Sequence, residues 1–141
     1  VKIAARKSTH GSALRRDQFL SDRARAAALR DVFPEVEQLS IELQFSDVSP
    51  HTPSPQQHTL YPAAPAFFRF VCPCADCDGD FDLTEAVTSL VKSAQGRKRA
   101  ATSRGQMNCL GHRLRDRDAS KPCSMQMSFQ LLSTPRAGSS R

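Results

Sequence analysis

Tryptophan is absent from the 141 residues, tyrosine occurs once, and aromatic residues make up 6 % of the chain. Hydrophobic residues reach 39 %, below the usual range for a compact globular domain. These shortages exclude a large core running through the whole chain. They favour a smaller core with a staple, because small domains bury too little surface to be stable alone. No apolar run approaches the ~20 residues that a membrane-spanning helix needs. The start, from Val1 to Leu14, is basic but has no apolar stretch, so it does not read as a secretory signal. The lack of any acid before Asp17 is shared with mitochondrial transit peptides, but the favoured expectation is a cytoplasmic protein.

Several catalytic signatures are also incomplete. Pro73-Cys74-Ala75-Asp76-Cys77 matches half of a zinc deaminase signature. The required upstream Glu is missing, because His10, His51 and His58 are followed two residues on by Ser12, Pro53 and Leu60. Cys74-x-x-Cys77 has the spacing of a redox dithiol, but the helix that would lower its pKa starts too late. Asp76, Asp78, Asp80 and Asp82 alternate like a calcium loop, but Phe81 stands where that loop needs glycine. They read instead as an acidic turn with a helix cap at Asp82. Met107, Met125 and Met127 have the softness for copper(I), but alternating Met on a strand reads as core. None of the four histidines has a hydrolase signature beside a cysteine. No reaction and no small-molecule substrate is expected.

Charge is present in quantity and unevenly placed. Residues 1–30 carry eight basic and two acidic side chains, residues 31–96 two and ten, and residues 97–121 eight and two. Two basic arms thus flank an acidic centre, and the net charge is +6. The arms can fold back on the centre or meet a polyanion such as RNA or DNA. Arg97, Lys98, Arg99, Arg104, Arg113, Arg115 and Arg117 are the candidate phosphate contacts, because a guanidinium fork bonds two oxygens at once. Phe67, Phe68 and Phe70 are the candidates for base stacking, and they read more readily as core.

Periodicity divides the chain. Residues 12–33 have a helical spacing of Leu20, Ala24, Ala28 and Val32, with Ser12 as cap and Pro34 as stop. Leu39, Ile41, Leu43 and Phe45 alternate with polar residues, as in a half-buried strand. Residues 49–65 contain five prolines and are expected to be a loop. Residues 67–71 form a short strand. Leu83, Ala86, Val87, Leu90 and Val91 share one helical face, between an Asp82/Glu85 capping box and Gly96. Residues 97–105 and 111–121 read as loops, Met107 and Cys109 as a short strand, and Met125 to Leu131 as a last strand. Residues 134–141 are expected to be disordered. The resulting divisions are a basic helix and first strand (1–48), a Pro-rich loop (49–66), an α+β module (67–132) and a tail (133–141).

The five cysteines carry the strongest signal. In a reducing compartment, clustered cysteines are metal ligands before they are disulfides, and an odd count argues the same way. Tetrahedral zinc takes four soft ligands that are close in space. Cys72, Cys77, Cys109 and Cys123 are the preferred set. Cys74 can exchange with Cys72, and His112 can replace Cys123. Gly79 supplies the freedom that a tight turn around a metal needs.

Strand, cysteine knuckle (Cys72-Pro73-x3-Cys77-x-Gly79) and returning strands resemble a zinc ribbon over about residues 67–131, apart from the helix inserted at 82–95. The resemblance implies an α+β fold: a small antiparallel sheet holding a zinc-ribbon-like Zn2+ site, with an N-terminal helix and one inserted helix. Zinc ribbons serve many tasks. The expectation is therefore a non-enzymatic module that binds nucleic acid or a nucleoprotein surface, with a protein-interaction adaptor as the alternative.

Overall fold

Alternating apolar residues need a surface to cover, and β1 (Val36–Ser46) supplies the centre of one. The computed structural model describes residues 17–47, 52–74, 77–97, 99–116 and 119–136, with backbone only for 113–116 and 119–121. Within them β1 lies between β2 (Gln56–Leu60) and β8 (Gln126–Pro135), and β5 (Ala101–Asn108) closes the far side of β8. All three pairings in this four-stranded sheet are antiparallel. The register places Ile41 opposite Leu131 and Phe45 opposite Met127, so apolar residues from both strands share one face. Ser40, Glu42, Gln44, Ser128 and Gln130 fall on the other face.

The core lies on the apolar face. Leu39, Ile41, Leu43, Met127 and Leu131 are fully buried there, together with Leu83 and Val87 from α3 (Thr84–Ala94) and its approach. The helical face read from the sequence is the one that packs. Asp82 stands just before it, and its Oδ1 accepts the Thr84 N–H at 2.9 Å. Gly96 ends the helix region with φ +78°, a conformation that glycine adopts without penalty. Two small hairpins complete the fold: β3 (Arg69–Val71) with β4 (Asp80–Asp82), and β6 (His112–Asp116) with β7 (Ala119–Pro122).

Four expectations need correction. Residues 12–33 do not form one helix. A helix α1 covers residues 17–25, Ala28 is extended and bridges Pro65, and a single turn α2 (Leu29–Val32) follows. Alanine propensity is overridden here by tertiary hydrogen bonds: Leu29 N–H donates to Ala64 O and Ala66 N–H to Ala27 O, both at 2.7 Å. The expected apolar stripe faces solvent, with Leu20 60 % and Val32 45 % exposed. α1 docks instead through Phe19, whose ring meets Phe67 edge-on at 4.9 Å. Within the Pro-rich segment, residues 56–60 carry no proline and pair as edge strand β2. Residues 101–105 belong to β5, and most of 112–122 forms the β6–β7 hairpin, because ladder hydrogen bonds come from the backbone and do not require an apolar sequence. Strand β8 runs to Pro135, and residues 137–141 lie outside those described, as do Ser12 and residues 1–16.

This register has a direct test. Ile41→Ala should cost about 2–5 kcal/mol in guanidinium unfolding, through lost burial and the cavity left behind. Glu42→Ala, one residue on and facing outward, should stay within about 0.5 kcal/mol.

Candidate metal centre

Each hairpin brings a cysteine to the same place from a different part of the chain. Strand β3 ends just before Cys72, and the turn toward β4 contains Cys77. Strand β5 ends just before Cys109, and the β6–β7 hairpin returns the chain to Cys123. The four side chains are buried, and their Sγ atoms all lie within 4.8 Å of one another. Cys77 and Cys109 are 3.5 Å apart and Cys72 and Cys123 3.8 Å. A metal bonded to four thiolates at ~2.3 Å, the zinc–sulfur length, sets sulfurs about 3.8 Å apart along each tetrahedral edge. The spacing therefore fits a tetrahedral thiolate site. None of the five cysteines is in a disulfide.

The backbone around these sulfurs repeats itself. Cys77-Asp78-Gly79 and Cys109-Leu110-Gly111 are the same Cys-x-Gly unit. In each, the glycine N–H donates to the cysteine sulfur two residues back, at 3.2 and 3.4 Å. In each, the glycine carbonyl accepts the N–H of the other cysteine of its half: Cys72 to Gly79 at 3.1 Å and Cys123 to Gly111 at 2.9 Å. The halves are tied by Asp78, whose N–H donates to His112 O at 3.2 Å and whose Oδ1 accepts the His112 N–H at 2.8 Å. The two glycines face each other. A Cβ on Gly79 would sit 2.9 Å from the Gly111 backbone and 2.5 Å from the Cys109 sulfur. Residues with side chains would hold the knuckles apart.

Burial pushes the Cys72 thiol well above the ordinary 9.0, against the backbone N–H of Cys74. Burial likewise raises Cys77, to about 12, opposed by the Gly79 N–H and reinforced by Cys109 and Cys123. Without a metal, Cys72 and Cys77 are therefore neutral thiols. The contribution of Cys77 to stability is complete below the ordinary thiol value of 9.0 and is lost as pH climbs through about 12. A cation reverses this preference, because its ligands must be thiolates.

The preferred sequence set, Cys72, Cys77, Cys109 and Cys123, is thus the set that the fold brings together. Cys74 stays outside the cluster. It serves through its backbone, accepting the Cys77 N–H at 3.2 Å. His112 is likewise outside the cluster, with its backbone held by Asp78. The β6–β7 hairpin closes the wide gap from Cys109 to Cys123. The repeated Cys-x-Gly was the signal that could have paired the halves in advance.

Of the basic candidates, Arg97 and Arg99 are exposed beyond α3, and Arg104 is exposed on β5. Arg113 and Arg115 occupy alternate positions of β6, while Lys98 and Arg117 lie outside the described residues. Phe68 is core, as expected. Phe67 is half-buried beside Phe19, which the sequence reading did not single out, and Phe70 is half-buried beside His58. Among the described residues, no helix is long and apolar enough to cross a membrane.

No family model, curated protein or solved structure matches this chain. Its classification rests on the cluster: an α+β chain with four buried cysteines that could hold a metal ion, consistent with a zinc-ribbon-like site.

Two outcomes are expected. Gly79→Ala or Gly111→Ala should weaken metal retention roughly 10- to 100-fold in chelator competition, the usual scale for losing outer-shell partners. Metal affinity should fall as pH falls, with protons taken up on release, in a titration of the loaded protein from mildly alkaline to acidic pH.

Proposed function

We propose that this chain is a non-enzymatic module in which a structural zinc ion, bound by Cys72, Cys77, Cys109 and Cys123, fixes a surface that binds nucleic acid or a nucleoprotein. The observation that carries the reading is the convergence of four buried sulfurs at tetrahedral spacing. Four-thiolate sites suit zinc among the available metals. Such a set fills the coordination sphere, whereas a catalytic zinc keeps a position open for water or substrate.

The partner reading rests on charge. The chain carries +6 and has a pI near 9.4. Arg97, Arg99 and Arg104 extend from α3 to β5 with exposed side chains, as phosphate contacts require. A second reading, an adaptor for another protein, is favoured by β5, which stands at one end of the sheet. An extended partner segment can add to such an edge.

Fluorescence anisotropy with labelled RNA and DNA over a salt series separates the two readings. The proposal expects log K to fall linearly with log salt, and Arg104→Gln to reduce the slope by about one. No binding at low salt would end the nucleic-acid reading. A pull-down that survives nuclease and high salt would favour the adaptor.

A further inference from the structure

Beside β3, on the side where α1 docks, lies a groove of about 240 Å³ whose lining combines rings with cations. Phe19 and Arg23 come from α1, His58 from β2, and Phe67, Arg69 and Phe70 from the segment leading into Cys72. Its volume is below the ~300–1,000 Å³ of sites for drug-sized ligands, which suits one flat ring with a small substituent.

The polar groups of the groove divide into fixed and available ones. Arg69 is fixed: its Nε and Nη2 both donate to Asp80 Oδ2, at 3.1 and 2.6 Å. Its guanidinium lies 5.6 Å from the Phe19 centroid and 5.9 Å from that of Phe67, holding the two rings in their edge-on arrangement. Asp22, outside the lining, is engaged by Gln18 and Arg25 at 2.8 and 2.9 Å. Arg23 is exposed and forms no ion pair with a carboxylate among the described residues. Its charge is felt at His58. His58 is engaged as well: its Nε2 lies 3.0 Å from Gln56 Oε1, its ring lies 4.8 Å from Phe70, and burial, then Arg23, pushes its pKa below 6.5. At neutral pH the groove therefore offers aromatic surface and one uncommitted cation at the rim.

That combination matches a base and its phosphate. We propose that this groove binds one nucleotide unit of single-stranded nucleic acid, the base against Phe67 and Phe70 and the phosphate at Arg23. The proposal deepens the nucleic-acid reading and rests on it. Stacking on aromatic side chains tolerates any base, because every base presents a π-face. The groove would thus give affinity for unpaired strands without choosing a sequence.

The test compares a short fluorescein-labelled oligo(dT) with an abasic oligonucleotide of equal length, which has the phosphates but no bases. The metal-loaded full chain is used throughout. Wild type should prefer oligo(dT), and Phe67→Leu should abolish that preference, with a loss of roughly 5- to 150-fold for oligo(dT) alone. Arg23→Gln should weaken both probes and lower the salt slope by about one. Arg25→Gln, the same charge change on a residue already paired with Asp22, should have a smaller effect. Equal wild-type affinity for the two probes, or a preference that survives Phe67→Leu in a variant of native circular dichroism, would overturn the groove proposal and leave phosphate binding intact. No binding of either probe at low salt would remove the nucleic-acid reading itself.

Discussion

The contact between Gly79 and Gly111 sets how closely the two halves of the cysteine cluster can approach. Each glycine directs its N–H to a cysteine sulfur and its carbonyl to the N–H of a second cysteine. Two of the sulfurs, those of Cys77 and Cys109, and the backbones of the other two cysteines are thereby held by main chain, without reliance on long side chains. Close approach of four thiols is otherwise unrewarding: they are weak hydrogen-bond partners, and burial keeps Cys72 and Cys77 neutral. A divalent cation would supply the missing attraction. Apparent binding energies of structural zinc reach about 10–16 kcal/mol, comparable to the whole stability of many domains.

From this point the short β3–β4 ladder distributes order to the rest of the chain. It pairs Phe70 with Phe81 and Val71 with Asp80. Phe81 is buried against Phe45 of the main sheet, with ring centroids 6.1 Å apart, so the ladder is anchored to the core. Asp80 fixes Arg69, which orders the rings of the groove, and Asp82 caps the approach to α3. A ladder of three residues per strand would be marginal alone. Here it is closed at one end by Cys72 and Cys77 and continues at the other into a packed helix. The cysteine cluster and the groove are consequently joined through one element.

The parts legible in the sequence were those where one interaction dominates. Strict alternation placed β1, because a buried face admits a single register, and the face of α3 followed from the same logic at helical period. The cysteine set was legible because soft ligands have few alternative roles. What failed was decided by distant partners. Ala26-Ala27-Ala28 favours helix locally, but residues 62–66 compete for its backbone. The β2, β5 and β6–β7 segments carry polar side chains and looked like loops. Their pairing is set by neighbouring strands, and their own patterns were too weak to announce it. The docking of Phe19 was hidden because a single aromatic outside the apolar stripe carries no periodic signal.

The central claim is that Cys72, Cys77, Cys109 and Cys123 hold one structural metal ion. Elemental analysis of protein purified without chelator or affinity metal tests it most directly, beside a Cys77→Ser/Cys109→Ser variant. The account predicts one zinc per chain, lost in the variant together with cooperative unfolding. Well-folded wild-type protein without metal would contradict it, and the four thiols would then be core residues brought together by packing alone.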